Sequence, residues 1–504
     1  MPASHPVLPP WFEDAADMAR LRDALRGADY SVSGVVNALR LKAFDSIRTL
    51  GRPVLLDRTS GGRPIDTLVR LFLLRVPVPE GALARAISPL PVDRLVCSRL
   101  AAPVASAEGR EYVSGFDLLP YEGLALVFDR PPRDNHEPYA DYVMGVGGST
   151  ASLGMQMIRR PSRLTLDLGC GCGVLAFLAS RFSERVIAAD RNPRALAMAR
   201  FNAALNEIAN VEVIETDFFS GVKGRVFDLI VSNPPFVISP GRTYIYRDGG
   251  MERDGVTETV VRGCGEHLAP GGFAHVLCNW AHLAGTPWED RLASWSSPAG
   301  ADMLVLRTHT RDPVEYAQQW VSETERHLTT EQSWTRLDEW TAALRSQKIE
   351  AISGGLVSLH KTDGRPGWFD HDTSPEQGAG YTGEHLARMF AGRDFLLSIG
   401  GERELLSRRL RCSENLRLSQ HVRLTDEGWR LFEAEARIDP GYPFGGVLEP
   451  LVMQFVLRME GRETVGEGLA AVAEESGRDP RSLMSGALSV IGHLIRRGIL
   501  IPVG

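Results

Sequence analysis

The sequence predicts an α/β protein with a doubly wound, Rossmann-like sheet between two mostly helical modules. Strand-like and helix-like segments alternate from about residue 163 to 361, a glycine-rich turn follows the first strand, and both flanks show a helical apolar period. Strands separated by helices pair in parallel, with helices on both faces of the sheet. We expect three domains, at residues 1–130, 131–365 and 366–504.

The first expected domain, residues 1–130, combines helices with a terminal hairpin. Its early segments place apolar residues three or four positions apart, which is the helical period, and two strand-like segments follow, EYVSGFDLLPYE and LALVFDR. Short helices followed by a β-hairpin predict a winged-helix-like module. The proline-rich segment at 129–142 is predicted to be a linker.

The central domain is predicted from its alternating elements. In chain order, the predicted segments are RLTLDLG, GVLAFLASRF, RVIAAD, PRALAMARFNAALN, VEVIETD, FDLIVSN, TVVRGCGEHL, GFAHVLCNW, ADMLVLRTHT, TRLDEWTAALRS and IEAISGGLVSLHK. The domain is expected to end near Thr362, followed by a polar linker or active-site loop. The third domain, 366–504, again shows helices followed by a short strand, ILIPV, and we expect a second winged-helix-like module there.

The composition limits the function classes that are open to the chain. Its 504 residues carry a net charge of −7, which opposes indiscriminate binding to nucleic acid but leaves a local basic face open. The amino terminus lacks a signal-peptide pattern, and no segment is long and apolar enough to cross a bilayer. The six cysteines are scattered without metal-ligand spacing. We expect a soluble, cytoplasmic protein with no bound metal and no membrane partner.

A glycine-rich turn follows the first central strand, in LTLDLGCGCGVLAFLAS. Gly169, Gly171 and Gly173 allow the backbone to bend sharply and to approach a ligand, because no Cβ intrudes. The dinucleotide fingerprint G-x-G-x-x-G needs a third glycine where this chain has Val174, so the pattern departs from that fingerprint. An ordinary tight turn is the alternative interpretation.

Acidic residues stand at the ends of the next two strands. Asp190 lies 23 residues after Asp167, which is one helix plus one strand, and this spacing brings it to the carboxyl edge of the sheet beside the glycine turn. A carboxylate there can accept hydrogen bonds from both hydroxyls of a ribose, although Asp190 can also cap the helix that follows. Asp217 ends the third strand, with Phe218 next to it.

These elements resemble the first motifs of class I S-adenosylmethionine (SAM) methyltransferases, whose glycine loop wraps the amino-acid end of the cofactor. The resemblance covers about a fifth of the chain closely and implies SAM as the cofactor, with the third acid on the adenine amino group. The cofactor-binding residues that it implies are Asp167, Gly169, Cys170, Gly171, Gly173, Asp190, Arg191, Asp217, Phe218 and Asn233.

The fourth strand ends in Asn233-Pro234-Pro235-Phe236, within FDLIVSNPPFVISP. This tetrapeptide resembles the [Asn/Asp/Ser]-Pro-Pro-[Tyr/Phe/Trp] motif of adenine-N6, guanine-N2 ribosomal RNA and release-factor glutamine methyltransferases, whose shared target is a planar nitrogen with a delocalised lone pair. An amide oxygen and a backbone carbonyl can accept its N–H bonds, prolines keep the backbone rigid, and an aromatic ring offers stacking. We expect Asn233, Pro234, Pro235 and Phe236 to be catalytic. A Pro-Pro turn with a buried Phe236 is the alternative.

The segment that follows lies where the family's substrate-covering loop would be. The candidates for substrate contact are Arg242, Tyr244, Tyr246, Arg247 and Trp280. A solvated connection is the alternative for the loop, and packing is the alternative for Trp280, which ends the fifth strand next to Asn279. Cys170 and Cys172 are interpreted as small loop residues rather than metal ligands, and WFDHDT as a loop.

The favoured function is a SAM-dependent N-methyltransferase that acts on a planar exocyclic or amide nitrogen, with an RNA base preferred because Phe236 can stack on it. A protein glutamine amide, a metabolite amine, a non-catalytic SAM-binding regulatory protein and a nicotinamide oxidoreductase remain alternatives. The expected partner is RNA or a protein. The flanking modules are expected to bind nucleic acid, to dimerise or to cover the catalytic domain.

Overall fold

The computed structural model describes residues 7–106, 109–130, 139–241, 244–296, 300–374, 378–426, 428–444 and 446–503. Within these ranges, no helix combines the length and the apolar character needed to span a membrane. The predicted linker at 129–142 lies partly outside the described residues, and Arg242 also lies outside them.

The N-terminal region consists of helices, a short 3₁₀ turn and two hairpins. Its helices are α1 (Ala15–Gly27), α2 (Val32–Ala38), α3 (Arg52–Arg58), α4 (Pro64–Phe72), α5 (Glu80–Ala86) and α6 (Val92–Cys97), with the 3₁₀ turn at Phe44–Arg48. Its strands are β1 (Val78–Pro79), β2 (Ala102–Ser106), β3 (Gly109–Val113), β4 (Phe116–Tyr121) and β5 (Leu124–Asp129). Strands β1, β3 and β2 form a small sheet, in which β1 lies between α4 and α5 in the chain and β2 and β3 follow α6, and β4 pairs with β5. The winged-helix-like character of this region remains a prediction.

We expected the segment EYVSGFDLLPYE to form one strand. It instead contains the end of β3 followed by β4. The Ser114 hydroxyl donates to the Phe116 carbonyl at 2.7 Å and accepts from the Phe116 N–H at 3.0 Å, which turns the chain between the two strands. A side chain that bonds to the backbone two residues ahead competes with a continuous ladder.

The central region alternates helices and strands as predicted. Its helices are α7 (Gly148–Gln156), α8 (Val174–Ala179), α9 (Pro193–Leu205), α10 (Gly255–His267), α11 (Trp288–Ser296), α12 (Pro313–Thr324) and α13 (Thr330–Ser346). Its strands are β6 (Ser162–Leu168), β7 (Ser183–Asp190), β8 (Val211–Glu215), β9 (Phe227–Ser232), β10 (Leu268–Leu283), β11 (Ala301–Arg311), β12 (Ile349–Lys361) and β13 (Phe369–Thr373). They form one sheet in the order β13-β11-β12-β10-β9-β6-β7-β8.

The sheet is parallel from β8 to β10, but β12 runs antiparallel between β10 and β11. A single helix returns the chain to the starting edge of a sheet, which produces parallel neighbours. The connection from β11 to β12 contains two helices, α12 and α13, so the chain comes back to the edge that it left: Arg311 pairs with Ile352. The expectation of uniformly parallel pairing is therefore wrong at β12.

The sheet also extends beyond residue 365, where we expected the central domain to end. The segment WFDHDT, expected to be a loop, contains β13, which pairs in parallel with β11. Asp302 of β11 accepts hydrogen bonds from the Trp368 N–H at 3.0 Å and from both terminal nitrogens of Arg365, which anchors the polar connection beside the sheet edge. The expected boundary at 365 therefore falls just before a strand of the same sheet.

The C-terminal region contains two further small sheets among helices. Its helices are α14 (Gly383–Ser398), α15 (Glu402–Ser407), α16 (Pro450–Arg458), α17 (Val465–Ser476) and α18 (Pro480–Arg496). Its strands are β14 (Arg409–Cys412), β15 (Leu416–Thr425), β16 (Gly428–Ile438), β17 (Gly446–Leu448), β18 (Glu460–Thr464) and β19 (Leu500–Pro502), arranged as sheets β18-β14-β19 and β15-β16-β17. The winged-helix-like assignment of this region stays a prediction.

The central strands are buried on both faces. In β9, Leu229 and Val231 belong to one core and Ile230 to the other, as the period of two in a strand requires. The first core is continuous with the N-terminal helices and the β4–β5 hairpin, so the N-terminal region packs directly on the central sheet. The second core lies on the α10 side and includes Trp280.

Two asparagines of α9 join the N-terminal hairpin to the central region. The Asn202 amide accepts from the Val127 N–H and donates to the Val127 carbonyl, both at 2.8 Å, and Asn206 makes the same pair of bonds with Ala125. These side chains satisfy the edge of β5 as another strand would. Arg194 and Asp129 add a buried, two-pronged ion pair beside them.

Candidate active site

A cavity of about 860 Å³ opens at the carboxyl edge of the parallel strands. Residues that follow four strand ends line it: Gly169 after β6, Asp190 at the end of β7, Asp217 after β8 and Asn233 after β9. Open α/β sheets bind ligands at this edge, because the loops after parallel strands meet there. The structure therefore brings the predicted strand-end residues together around one space.

The glycine turn forms part of the cavity wall. Gly169 and Gly171 have φ angles of +77° and +54°, and a Cβ added at either would meet no other atom within 4 Å. A backbone with open space on its cavity side can be approached closely by a ligand. Gly173, predicted to bind the cofactor, does not line the cavity. The position requires glycine for a packing reason, because a Cβ there would lie 2.4 Å from the Phe177 ring.

Asp167 lies beneath the glycine turn and does not line the cavity, contrary to the predicted direct contact. Its carboxylate is fully buried and accepts from the Ala176 N–H at 2.8 Å, which caps the first turn of α8. Its other oxygen makes no hydrogen bond with a described residue. Burial raises the pKa of Asp167 to about 7, with the nearby Asp190 charge acting in the same direction.

Asp190 connects the glycine turn to α9. Its two carboxylate oxygens accept from the Gly171 and Asn192 N–H groups, each at 2.9 Å, and burial raises its pKa. The N-cap of α9 is Asn192, whose side chain accepts from the Arg194 N–H, so capping does not account for Asp190. Arg191 follows on the cavity wall with an exposed side chain.

Asp217 and Phe218 also line the cavity, in a tight turn after β8. Phe218 has a φ of +49°, and the Thr216 hydroxyl fixes this turn by donating to the Phe218 carbonyl and accepting from the Gly221 N–H. Cys170 lies in the wall as a buried thiol, and burial raises its pKa well above the usual range. A thiol held protonated in this way is a packing group and not a nucleophile.

Asn233 presents an unpaired acceptor at the cavity. Its side-chain nitrogen donates to the Ser149 and Thr150 hydroxyls, at 3.2 and 3.1 Å, and its buried side-chain oxygen makes no hydrogen bond with any described residue. A buried polar atom without a partner is costly unless a ligand completes it. The two hydroxyls therefore hold the amide nitrogen and leave the amide oxygen without a partner among the described residues.

The rest of the Asn-Pro-Pro-Phe segment is held by α12. Phe236 lines the cavity and meets Trp320 edge-on, with the ring centroids 6.2 Å apart. Just downstream, the Ile238 N–H donates to the Tyr316 hydroxyl at 3.0 Å, and the Asn279 side chain donates to the same hydroxyl at 2.8 Å. Tyr316 is fully buried, so this junction fixes the end of the segment.

The predicted substrate loop is only partly at the cavity. Tyr246 lines it and packs edge-on against Tyr142, and burial raises the pKa of Tyr246 to about 12. Arg247 lines it too, but this side chain is buried and paired with Asp248 at 2.7 Å and Glu325 at 3.1 Å. Tyr244 is buried and does not line the cavity.

Trp280 is a core residue, which agrees with the packing alternative and not with the candidate place in the pocket wall. It is fully buried, packs against Trp288 with ring centroids 5.4 Å apart, and is absent from the cavity wall. Neighbouring residues of a strand point to opposite faces, and Trp280 faces the second core.

Asp302, His360 and Asp394 place their possible ligand atoms within 4.8 Å of one another. Arg365 already donates to both carboxyl groups, at 2.6 and 2.5 Å. This group is therefore an ion-pair network around a guanidinium.

Several wall residues were not anticipated. They are Arg48, Arg75, Ser149, Thr150, Trp320, Arg326 and His327, contributed by the N-terminal region, α7, α12 and the turn before α13. The small, polar run Gly147-Gly148-Ser149-Thr150 is the one local signal that could have indicated a second wall. Only the long-range packing places the others at the cavity.

The wall residues fit SAM. The open backbone at Gly169 and Gly171 suits the amino-acid end, the Asp190 carboxylate suits ribose hydroxyls, and Asp217 with Phe218 offers an acceptor and a ring for the adenine. Asn233 lines the same cavity, and its buried side-chain oxygen has no hydrogen-bond partner among the described residues. The cavity is larger than a cofactor alone requires and leaves room for a substrate group.

Two sequence families match separate parts of the chain. Residues 147–285 match the family described as Methyltransferase small domain, and residues 27–111 match a family described as a domain of unknown function.

Individual proteins are similar over part of the chain. Ribosomal RNA small subunit methyltransferase C of Serratia proteamaculans (strain 568) is 37% identical over 116 residues, which is 23% of this chain and 30% of that protein. The protein of the same name from Escherichia coli O7:K1 is 36% identical, with the same shares covered. The chain thus spans 30% of the length of these curated relatives. Among solved structures, Trm5b from Pyrococcus abyssi has a TM-score of 0.29 at 16% identity, covering 57% of this chain and 72% of that chain.

Proposed function

We propose that this chain uses its class I SAM-dependent methyltransferase domain, residues 147–285, to methylate an exocyclic nitrogen of an RNA base. The family match confirms the predicted enzyme class of the domain and its predicted cofactor, SAM. The position of the nitrogen, the nature of the substrate and the roles of the individual residues are the proposal.

The observation that carries the proposal is the unpaired Asn233 side-chain oxygen beside the space that fits the cofactor. An exocyclic amino nitrogen brings N–H donors and a lone pair that is delocalised into its ring. Accepting one N–H at Asn233 and the other at the Pro234 carbonyl draws the nitrogen towards tetrahedral geometry and frees the lone pair. Pro234 and Pro235 keep these acceptors fixed, because proline locks φ.

Bound SAM supplies an activated methyl group on a sulfonium that leaves as a neutral thioether. The chain has to align the acceptor nitrogen, exclude water and let a proton leave after transfer. Phe236, with Trp320 against its edge, offers a flat apolar wall on which a base can stack. Alignment of this kind is worth a large part of the rate, since displacing reacting atoms by about an ångström can cost about a hundredfold.

The preference for RNA has two supports. A base offers a larger planar surface to Phe236 than a glutamine amide does, and the partial relatives carry the name of a ribosomal RNA methyltransferase. RNA bases that are modified enzymatically are usually unstacked and read on an aromatic side chain.

The proposal is tested with radiolabelled SAM and separate RNA, protein and metabolite fractions. We expect label in RNA, in a methylated exocyclic amine after hydrolysis to nucleosides. Asn233→Ala should abolish transfer while SAM binding, measured by calorimetry, stays close to that of the unaltered protein. Asn415→Ala, which alters a half-buried asparagine outside the cavity wall, is the control.

Three results would contradict the proposal. Label confined to protein would identify a glutamine amide as the substrate, and label in the metabolite fraction alone would identify a small amine. Full turnover by the Asn233→Ala variant would remove the assigned role of the amide.

A further inference from the structure

Three arginines on the cavity wall have no ion-pair partner among the described residues. Arg48, Arg191 and Arg326 line the cavity, and none of them forms an ion pair or side-chain hydrogen bond with a residue that the structure describes. The other two wall arginines differ: Arg75 is held by both oxygens of Asp117, and Arg247 by Asp248 and Glu325.

An uncompensated guanidinium at a cavity is a ready anion site. Its planar fork matches a phosphate or carboxylate, and it is always charged. The chain carries a net charge of −7, so a polyanion would approach it only where positive charge is concentrated. Arg191 follows Asp190, beside the proposed position of the cofactor ribose, and we assign it to the cofactor. Arg48 and Arg326 remain for the substrate.

These two arginines come from distant parts of the sequence. Arg48 ends the 3₁₀ turn Phe44–Arg48, inside the part that matches the domain of unknown function, and Arg326 lies in the turn between α12 and α13, two positions after the wall residue Thr324. Neither belongs to the matched methyltransferase segment, 147–285.

The N-terminal region, whose 3₁₀ turn carries Arg48 to the cavity wall, is joined to the central region by several contacts. Arg22 of α1 donates to the Ala204 carbonyl at 2.9 Å, and Arg26 pairs with Glu207 at 2.5 Å. Together with the Asn202 and Asn206 bonds to β5, these contacts join the N-terminal region to α9, a helix of the central region.

We propose that Arg48 and Arg326 bind backbone phosphates of a single-stranded RNA whose target base enters the Asn233 site. The N-terminal region thereby acquires a role in substrate binding, as a part of the catalytic cavity itself. This inference rests on the proposed function and adds to it the residues that hold the strand. Phosphate contacts of this kind set position and affinity and carry no base specificity.

The test measures binding of a fluorescein-labelled single-stranded RNA of about 12 nucleotides, a length within the range that such proteins cover. Anisotropy titrations at several salt concentrations compare the unaltered chain with Arg48→Ala, Arg326→Ala and the double variant. Each substitution should weaken RNA binding several-fold and reduce the steepness of log K against log salt by about 0.7 for each phosphate that the variant no longer neutralises. Arg48→Lys and Arg326→Lys should retain most of the salt dependence.

Arg462→Ala is the matched control, because its side chain is 85% exposed on β18 and lies outside the cavity wall. It should leave both the affinity and the salt slope unchanged. Calorimetry with SAM should give the same affinity for all variants, and circular dichroism should show an unchanged fold, as both altered side chains are exposed.

Two outcomes overturn the inference. Unchanged RNA affinity and salt slope in the double variant would remove the phosphate contacts, and a drop in SAM affinity with RNA affinity unchanged would make these arginines cofactor ligands. Neither outcome touches the proposed function, which is decided by the transfer of label to RNA. Asn233→Ala separates the two in the other direction: it should bind the labelled RNA with the full salt slope while it transfers no methyl group.

Discussion

Asp167 shows how a single buried carboxyl group can support a site without touching the ligand. One oxygen caps α8 and the other lacks a hydrogen-bond partner among the described residues, so the fold favours the protonated form. A protonated acid at this point keeps negative charge away from the underside of the glycine turn. The group belongs to the scaffold of the cofactor site, although the sequence motif suggested direct contact.

We expect Asp167→Asn to alter the pH dependence of stability. The pKa of Asp167 is about 7 in the fold, against about 3.9 for an unfolded aspartate, so the folded state holds a proton that the unfolded state has lost between these values. Its contribution to stability is therefore present at low pH and declines, by up to about 1.4 kcal/mol per pH unit, as the pH rises towards 7.

Asparagine cannot ionise and keeps an acceptor for the Ala176 N–H. Urea unfolding of both proteins at pH 5 and pH 8 measures the difference, which isolates this group from other titrating residues. The variant should gain stability relative to the unaltered chain at pH 8, with SAM binding retained. Parallel pH profiles for the two proteins would refute the assignment.

At the scale of secondary-structure elements, the first turn of α7 holds the side-chain amide of Asn233. Ser149 and Thr150 accept both hydrogen bonds from the Asn233 side-chain nitrogen. Gly154 allows this helix to lie close to α8, since a Cβ there would stand 2.9 Å from Leu178. Element packing thus determines which way an amide points.

We predict that the double substitution Ser149→Ala with Thr150→Val lowers kcat by roughly tenfold or more, because the amide can then rotate away from the substrate. KM for RNA and the affinity for SAM should change little. Ser149→Thr with Thr150→Ser retains both hydroxyls and should retain the rate. Steady-state kinetics check this, and the side-chain amide signal of Asn233 in nuclear magnetic resonance spectra should shift only in the first variant. Equal kcat in both variants would contradict the positioning role.

The strand-end residues were predictable from the sequence, whereas their supports were not. Asp190, Asp217 and Asn233 follow apolar strands, so local pattern alone brings them to one edge. Thr150 is 83 residues away from Asn233, and no local period predicts that contact. The antiparallel direction of β12 was likewise not predicted, because the alternation of side chains within a strand does not fix the direction of its neighbour.

At the scale of the whole molecule, the three regions share one hydrophobic core. The N-terminal region shares a core with the sheet, and α14 of the C-terminal region contributes Phe390 to that same core. The sequence predicted helical flanks but not α14 or the β15–β16 hairpin. Most side chains of β15 are exposed, so this strand offers little apolar contrast by which to identify it.

Asn202 provides a test of this integration. Its amide bonds both backbone groups of Val127 in β5 and also donates to the Cys172 carbonyl in the glycine turn, at 3.0 Å. Asn202→Ala would leave these buried groups unpaired, each at a cost of about 1–3 kcal/mol. We expect a lower unfolding temperature, faster hydrogen exchange at the Val127 N–H and weaker SAM binding.

Asn206→Ala is the comparison, because Asn206 makes equivalent bonds to Ala125 but none to the glycine turn. It should loosen the hairpin and leave the affinity for SAM unchanged. Equal SAM affinity in both variants would show that the hairpin and the cofactor site are energetically independent.

The antiparallel strand β12 has a consequence for how such a protein diversifies. The chain leaves the sheet after Arg311 and re-enters it at Ile349, and Arg311 pairs with Ile352. The two strands that flank the connecting segment 312–348 are therefore about one inter-strand spacing apart, about 4.8 Å. An insertion with adjacent ends can be lengthened, shortened or exchanged while the strands keep their register. Trp320, Arg326 and His327 all lie in this connecting segment. Selectivity for new acceptors can therefore evolve, or be engineered, by replacing the segment between β11 and β12 while the rest of the methyltransferase domain stays unchanged.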